Sequence, residues 1–233
     1  MNVIITGASR GIGKAIALKF ISEGHSVAIC ARTKNHLDAF EDEAKLINPN
    51  INILTEAIDI SKIDEVSLFA KSCINTFKNI DVLVNNGGIF IPGKITEEEP
   101  GKLQKLIETN LYSAYHLTRE ILPYMKNSTK PHIFNICSIA SFMAYPDGGS
   151  YSISKFAMLG FSKVLREELK QSGIKVTSIM PGATWSDSWA GANLPYDRIM
   201  EAKDIADTLW SAYQLGPSAV VEEIIIRPLL GDL

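Results

Sequence analysis

Residues 2–13 read NVIITGASRGIG, an apolar run followed by three glycines spaced Gly-x3-Gly-x-Gly, namely Gly7, Gly11 and Gly13. The run predicts a buried strand, and the residues from 11 onward have the periodicity of a helix. Glycines at these points allow a tight turn, close approach of a phosphate to the backbone, and close packing of the helix on the strand. Three glycines alone also fit a plain strand-to-helix turn. Their place between an apolar strand and a helix favours a phosphate-binding loop, where free N–H groups and the helix dipole attract an anion.

The rest of the chain alternates short β-branched runs with longer amphipathic segments. The predicted strands are Asn2–Thr6, Ser26–Ala31, Ile51–Ala57, Ile80–Asn85, His132–Cys137, Lys175–Met180 and Glu223–Arg227. The predicted helices cover residues 11–23, 34–47, 61–77, 99–126, 150–171 and 203–214. This alternation predicts an α/β fold: one doubly wound, Rossmann-type domain over residues 1–233, with a seven-stranded parallel sheet and helices on both faces.

Unusual residues follow the predicted strands. They are Gly7, Arg32, Asp59, Asn86, Ser138 and Pro181, one after each of the first six strands. In open α/β sheets, ligands bind outside the carboxyl ends of the strands, where the strand order reverses. We therefore expect these six positions to surround a single ligand site.

The second strand indicates which dinucleotide the site prefers. NAD-binding sites usually place a carboxylate there to hold the ribose 2′-hydroxyl, but residues 24–37 contain no Asp or Glu. The strand ends instead at Arg32, whose planar guanidinium suits a 2′-phosphate, and Arg10 adds a second positive charge. The alternative is that Arg32 only extends into solvent at a strand end. The pattern predicts NADP(H) as the cofactor and gives no indication of a metal site.

Tyr151 and Lys155 are four residues apart, so on a helix they share a face. A nearby ammonium favours the phenolate and is expected to lower the pKa of Tyr151 toward neutrality, which would let the phenol exchange a proton with a substrate oxygen. Ser138, on an earlier strand end, would polarise the same oxygen by hydrogen bonding. A Tyr-x3-Lys pair on its own usually marks a solvated helix face, and its place after Ser138 and the glycine loop is what favours a catalytic role.

Together these motifs make the chain resemble the short-chain dehydrogenase/reductase family over essentially its whole length. The resemblance implies a catalytic tetrad of Asn110, Ser138, Tyr151 and Lys155, with Asn110 holding a water and Lys155 also binding the nicotinamide ribose. The family's Asn-Asn-Ala-Gly motif matches Asn85 to Gly88, with Gly87 in the alanine place. The cofactor-binding residues it implies, with those expected above, are Gly7, Ser9, Arg10, Gly11, Ile12, Gly13, Arg32, Thr33, Asp59, Ile60, Asn86, Gly87, Gly88, Tyr151, Lys155, Pro181, Gly182, Thr184 and Ser186.

By this resemblance the chain is expected to be an NADPH-dependent oxidoreductase that reduces a ketone or aldehyde to an alcohol, reversibly. Two alternatives are an NAD-linked dehydrogenase of a hydroxylated metabolite and a non-catalytic dinucleotide sensor. Residues 183–202 correspond to the family's substrate loop. Trp185, Trp189, Phe142, Met143 and Tyr145 would wall a substrate pocket, although the two tryptophans would equally serve to pack a lid onto the body.

Bulk composition excludes several other classes. A net charge of −3 and scattered basic residues give no footprint for nucleic acid or an anionic membrane, and no signal peptide or membrane span is expected. Three cysteines, Cys30, Cys73 and Cys137, predict buried free thiols and a cytoplasmic location. Apolar residues on more than one face of the 150–171 helix predict a homodimer or homotetramer that associates through this helix and the 99–126 helix. The triplet Glu97–Glu99 is expected to cap the 99–126 helix.

Overall fold

A computed structural model describes residues 1–186, 189 and 191–233. Its strands are β1 (Asn2–Thr6), β2 (Ser26–Ala31), β3 (Ile53–Ala57), β4 (Val82–Asn85), β5 (His132–Ile136), β6 (Lys175–Pro181) and β7 (Glu223–Ile226). They form one sheet in the order β3-β2-β1-β4-β5-β6-β7, and every neighbouring pair is parallel. The order reverses between β1 and β4, which places the expected ligand site above these two strands.

The helices are α1 (Gly11–Ser22), α2 (Lys34–Ile47), α3 (Ile63–Phe77), α4 (Lys102–Ile107), α5 (Ser113–Met125), α6 (Gly149–Leu169) and α7 (Ala202–Gln214). They cover both faces of the sheet and bury two large apolar clusters and a smaller one. One large cluster joins α1, α2 and α7 to side chains such as Val3 and Ile5, and the other large cluster joins α3, α5 and α6 to Ile4. Successive residues of β1 enter opposite clusters because side chains alternate across a strand. The predicted doubly wound α/β fold is confirmed.

Several predicted boundaries were wrong by one or two residues. β3 begins at Ile53 rather than Ile51, because the N–H of Ile51 bonds to the carbonyl of Asn48 in a turn, at 3.2 Å. β6 extends to Pro181, which pairs in register with Ile226. β4, β5 and β7 each differ from the prediction at one end by one or two residues, and β1 and β2 have the predicted bounds.

The predicted 99–126 helix is not continuous. It starts at Lys102, after Gly101 in a left-handed conformation (φ 87°), and a π-helical turn, Glu108–Tyr112, separates α4 from α5. π-helical turns occur mostly at functional sites. Asn110 lies within this turn.

The expectation that the acidic triplet caps its own helix was wrong for Glu98. Its carboxylate accepts a hydrogen bond from the backbone N–H of Ser150, at 3.0 Å, in the first turn of α6. The reason is tertiary: the segment before α4 crosses the start of α6, and the free N–H groups there attract the carboxylate.

The three cysteines are buried free thiols, as expected. Within the described residues, no helix is both long enough and apolar enough to span a membrane.

Candidate active site

The loop from β1 to α1 presents an open helix N-terminus. Gly7 and Gly11 have left-handed φ values of 64° and 55°, which a residue with a Cβ adopts only with strain. Arg10, the residue before α1, is extended and its side chain does not cap the helix. Because the first N–H groups of a helix lack intrahelical partners, this end of α1 suits a phosphate.

Close packing beneath this loop explains the third glycine. A Cβ on Gly13 would collide with Asn86 Nδ2 and the carbonyl of Gly7, and a Cβ on Gly7 would lie 2.8 Å from Gly87 Cα. Asn86 Nδ2 donates to the carbonyl oxygens of Thr6 and Gly7, at 2.9 and 3.0 Å. The side chain of Asn86 therefore fastens the end of β4 to the end of β1 and fixes the shape of the loop.

A cleft of about 340 Å³ lies over this loop, at the carboxyl ends of β1, β2 and β4. Most predicted cofactor residues line it: Gly7, Ser9, Arg10, Gly11, Ile12, Gly13, Arg32, Thr33, Asp59, Ile60, Asn86, Gly87, Gly88 and Ser186. Sequence reasoning missed other lining residues: Ala31, His36, Ile58, Ser61, Ile89, Lys105 and Thr109. We call this the dinucleotide cleft. Lys105 lies on α4, and its place in the cleft depends on how α4 packs, so no local motif indicates it.

Arg32 and Asp59 stand at the β2 and β3 end of the dinucleotide cleft. Arg32 is exposed. Burial alone would raise the pKa of Asp59, but hydrogen bonds from the N–H and hydroxyl of Ser61, together with the positive charges of Arg32 and Lys62, bring that pKa below its usual value. Asp59 is thus ionised at neutral pH and uses one oxygen to close its own turn.

Gly87 packs against Ile60 across the cleft wall. A Cβ on Gly87 would collide with Ile60 Cδ1 and lie 3.2 Å from Thr6 Oγ1. The hydroxyl of Thr6 accepts the N–H of Gly87 at 2.8 Å. The glycine in the family's alanine position therefore leaves room for the side chain of Ile60.

Ser138 and Tyr151 come together beside the cleft. The Ser138 hydroxyl oxygen accepts the N–H of Ala140 at 3.1 Å and begins a short 3₁₀ turn after β5. This bond leaves the hydroxyl proton free to donate. Burial raises the pKa of Tyr151, and a hydrogen bond with the Ser138 side chain opposes that rise. Ser138 is thus directed at the phenol oxygen.

The expected lowering of the Tyr151 pKa by Lys155 was wrong for this structure, because burial dominates. Lys155 Nζ lies 5.9 Å from the centre of the Tyr151 ring and donates instead to the carbonyl of Ile136, at 3.0 Å. Burial also lowers the pKa of Lys155. The phenol is therefore neutral at pH 7 in this form, which suits a proton donor.

Asn110 is buried, and its side-chain amide makes three hydrogen bonds within the protein. Oδ1 accepts the N–H of Ile89 at 2.8 Å, while Nδ2 donates to the carbonyl of Ile89 and to Ser154 Oγ, both at 3.0 Å. These bonds tie the π-helical turn to the loop after β4 and to α6. A Cβ placed on Gly88 would lie 3.1 Å from Asn110 Oδ1 and 3.8 Å from Lys155 Nζ. Gly88, which lines the dinucleotide cleft, therefore lies directly beside two residues of the predicted tetrad.

Two aromatic residues complete the surroundings of Tyr151. The ring of Phe90 meets the Tyr151 ring edge to face, with centroids 4.8 Å apart. Burial, with the nearby Tyr151, raises the pKa of Tyr145 to about 12. Sequence reasoning named Tyr145 as a wall but missed Phe90. The sequence signal that could have indicated Phe90 is its position two residues after the Asn-Asn-Gly-Gly motif.

Only one of the four predicted cofactor residues at and after the end of β6 lines the dinucleotide cleft. Ser186 lines the dinucleotide cleft, whereas Pro181, Gly182 and Thr184 are absent from the cleft wall formed by the described residues. Gly182 donates to the carbonyl of Ile226 at 2.8 Å, and a Cβ there would collide with Asp232. Trp185 donates its indole N–H to the carbonyl of Tyr196, at 2.7 Å, within the predicted substrate loop. Residues 187, 188 and 190 of this loop lie outside the described residues.

The sequence model of the family described as short chain dehydrogenase matches residues 1–196. The chain belongs to the short-chain dehydrogenase family. As a short-chain dehydrogenase it is an oxidoreductase, and the open helix end, the glycine loop and the cleft fit the family's nicotinamide dinucleotide. This fit rests on Gly7 and Gly13, where an added Cβ would collide with neighbouring atoms of the loop.

Three similar proteins extend this comparison. Sepiapterin reductase of Chlorobaculum tepidum is 29% identical over 239 aligned residues, covering 99% of this chain and 97% of the relative. An NADP complex of a metagenomic short-chain oxidoreductase has a TM-score of 0.84 and 31% identity, covering 98% and 96% of the two chains. An alcohol dehydrogenase from the archaeon Thermococcus sibiricus, complexed with 5-hydroxy-NADP, has a TM-score of 0.89 and 26% identity, also covering 98% and 96%.

Proposed function

We propose that this short-chain dehydrogenase reduces a ketone or aldehyde to an alcohol with NADPH, reversibly. The observation that carries the proposal is the end of β2. Arg32 and Thr33 line the dinucleotide cleft there, Arg10 lines it from the glycine loop, and residues 24–37 contain no carboxylate. A guanidinium binds a 2′-phosphate through two parallel hydrogen bonds, whereas a 2′-hydroxyl is usually held by a carboxylate.

The residues of the cleft have separate roles in this proposal. The N–H groups of the glycine loop would hold the pyrophosphate. Arg32, Arg10 and Thr33 would hold the 2′-phosphate, and Asp59 and Ile60 would flank the adenine. Lys155 would bind the nicotinamide ribose, and by the family resemblance the segment containing Pro181, Gly182, Thr184 and Ser186 would contact the carboxamide. A bound nicotinamide dinucleotide supplies the hydride for this class of reaction.

Tyr151 acts as the proton donor to the substrate oxygen. Its raised pKa keeps the phenol protonated at neutral pH, and the Ser138 hydroxyl, which is free to donate, polarises the same oxygen. Lys155 and Asn110 hold the surrounding backbone, and Asn110 would also retain a water for a proton relay. In the reverse direction the phenolate of Tyr151 takes the proton from an alcohol.

The similar proteins support reduction with NADPH. Two solved structures that resemble the chain are complexes with NADP or 5-hydroxy-NADP, and a third similar protein is named as a reductase. The proposed substrates are small carbonyl compounds. The loop of residues 183–202 is the segment proposed to cover them.

The test is a screen of ketones and aldehydes for consumption of NADPH and of NADH by the purified chain. We expect kcat/KM to be at least about tenfold higher with NADPH, in line with one charge-assisted contact. A preference for NADH would instead support an NAD-linked dehydrogenase. Tight binding of NADPH without turnover of any carbonyl would support a dinucleotide sensor.

We also propose that the chain associates as a homodimer or homotetramer in the cytoplasm. Exposed apolar side chains on α5 and α6 support association; they include Tyr115, Ile153, Phe156 and Val164. Light scattering at micromolar concentration would show two or four subunits. The mass of one subunit would contradict the proposal.

A further inference from the structure

The segment between β4 and α4 is fastened to the start of α6 by one carboxylate. Glu98 Oε1 accepts the backbone N–H of Ser150 at 3.0 Å, and Oε2 accepts the Ser150 hydroxyl. Lys102 Nζ lies 3.3 Å from Oε1 and donates to the carbonyl of Pro92 at 2.6 Å. The Glu98 side chain is only 8% exposed. These contacts join three separate parts of the chain at a single half-buried ion pair.

Two glycines make room for this carboxylate. A Cβ on Gly149 would collide with Glu98 Oε1 and with the carbonyl of Gly93, and a Cβ on Gly93 would collide with Lys102 Nζ. Gly149 has a φ of 39°, in the left-handed region. The N–H of Gly93 also donates to the carbonyl of Asp147, at 2.7 Å. The backbone on both sides is thus shaped to bring Glu98 against Ser150.

The carboxylate remains charged at neutral pH. Hydrogen bonds from the side chain and then the backbone of Ser150 lower the pKa of Glu98, and Lys102 adds to that lowering. A negative charge at a helix N-terminus is favourable because the first N–H groups lack partners. The flanking Glu97 and Glu99 are exposed, so the arrangement is specific to one member of the triplet.

Ser150 immediately precedes Tyr151, and both lie in the first turn of α6. Glu98 holds the N–H and the hydroxyl of Ser150 together, which restrains the rotation and fraying of that turn. The phenol of Tyr151 must lie against Ser138 to act as a donor, and a displacement of about 1 Å in such a group can lower a rate by about 100-fold.

We propose that Glu98 is a positioning residue for Tyr151, holding the first turn of α6 so that the phenol stays against Ser138. The proposal deepens the proposed function and rests on it for the role of Tyr151. It assigns Glu98 no contact with substrate or cofactor.

The test compares Glu98→Ala with Glu98→Gln and with Glu99→Ala, an exposed neighbour, as the matched control. We expect Glu98→Ala to lower kcat about 10- to 100-fold, with the Kd for NADPH changed less than about threefold, since the dinucleotide cleft excludes residue 98. Glu98→Gln should recover most of kcat, because its amide accepts the Ser150 N–H and donates to the Ser150 hydroxyl. Glu99→Ala should match the natural chain.

A second readout needs no substrate. In protein labelled with ¹³C at the tyrosine ring, the Tyr151 resonance is assigned by its loss in Tyr151→Phe. We expect Glu98→Ala to shift or broaden this resonance and Glu99→Ala to leave it unchanged. If Glu98→Ala does not fold, Ser150→Ala removes only the hydroxyl contact and should give a smaller change of the same kind.

The outcomes separate the two proposals. An unmoved Tyr151 resonance, or full kcat in Glu98→Ala, overturns the positioning role. Equal losses of kcat and NADPH affinity in both Glu98 variants would also overturn it, because they indicate general disruption. If the natural chain reduces no carbonyl but Glu98→Ala alone displaces the Tyr151 resonance, the proposed function fails and the positioning of Tyr151 stands.

Discussion

Lys155 Nζ donates a hydrogen bond to the carbonyl oxygen of Ile136 at 3.0 Å, which ties α6 to the last residue of β5. Ser138 follows Ile136 by two residues, so this bond sets the register between the two elements that carry the proposed donor and its partner. The ammonium is oriented by backbone rather than by the Tyr151 ring, whose centre is 5.9 Å away. Lys155 therefore positions the site even before any contact with a ribose.

The first prediction concerns turnover by Tyr151. We expect Tyr151→Phe to lower kcat by at least about 100-fold, because general acid catalysis contributes about that much. The Kd for NADPH, measured by fluorescence titration, should change less than about threefold. Tyr124→Phe, an exposed tyrosine on α5, is the control. Unchanged turnover in Tyr151→Phe would exclude the phenol as donor.

The second prediction concerns the ionisation of Tyr151 in the protein free of cofactor. Because burial raises the pKa of this phenol, ultraviolet difference titration of the natural chain against Tyr151→Phe should show no phenolate from residue 151 at neutral pH. A raised pKa means that the folded state binds this proton more tightly than the unfolded state. Its stabilising contribution is therefore present below the ordinary pKa near 10 and is lost as pH rises through the folded value. A phenolate at neutral pH would contradict the burial argument.

The third prediction tests the cofactor preference. Arg32→Ala should raise the Kd for NADPH about tenfold or more and leave the Kd for NADH nearly unchanged, since only NADPH carries the 2′-phosphate. Lys34→Ala removes an exposed charge that is paired with Asp38, and serves as the control for net charge. Equal losses for both dinucleotides would show that Arg32 does not recognise the 2′-phosphate.

The fourth prediction concerns the packing of Gly87 against Ile60. Gly87→Ala should destabilise the fold by about 1–3 kcal/mol, the usual cost of overpacking. Ile60→Val removes the Cδ1 that the new methyl would meet, so the double variant should recover part of this loss. Urea unfolding of both single variants and the double variant measures the coupling. Gly216→Ala, where an added Cβ has open space, is the control and should be neutral within about 0.5 kcal/mol. Additive effects of Gly87→Ala and Ile60→Val in the double variant would contradict the contact between residues 87 and 60.

The fifth prediction concerns acid stability. His132 is buried on β5, its Nε2 lies 2.7 Å from Thr177 Oγ1, and burial lowers its pKa to about 3. Between the unfolded pKa near 6.5 and the folded value, only the unfolded state binds the proton, so stability falls as pH falls. From pH 7 to pH 5 this amounts to about 2 kcal/mol. His132→Leu should flatten that dependence in urea unfolding, and an unchanged slope would contradict it.

Local sequence was sufficient for the layout of the fold. Runs such as Val3–Ile5 have to be buried on both faces, and the periods of strand and helix differ, so the alternation predicted the parallel sheet. The glycine loop was predictable for the same local reason, since Gly7 and Gly11 adopt backbone conformations that disfavour other residues. The sequence also singled out Ser138 and Tyr151, although their contact depends on where two distant segments pack.

The π-helical turn was not predictable, because its sequence has ordinary helical character. The side-chain amide of Asn110 in this turn hydrogen-bonds to Ile89 and Ser154, which are remote in the chain. The role of Glu98 was also beyond local reasoning. A carboxylate before a helix predicts a cap for that helix, but the fold places it at another helix.

By itself, then, the sequence determined the α/β sheet, the glycine loop and the residue types available for chemistry, because these follow from local conformational preference and periodic burial. Tertiary structure alone decided the protonation of Tyr151, the partner of Lys155 and the helix that Glu98 caps. Desolvation and hydrogen bonding depend on which distant groups surround an atom, and that is fixed only when the chain has folded.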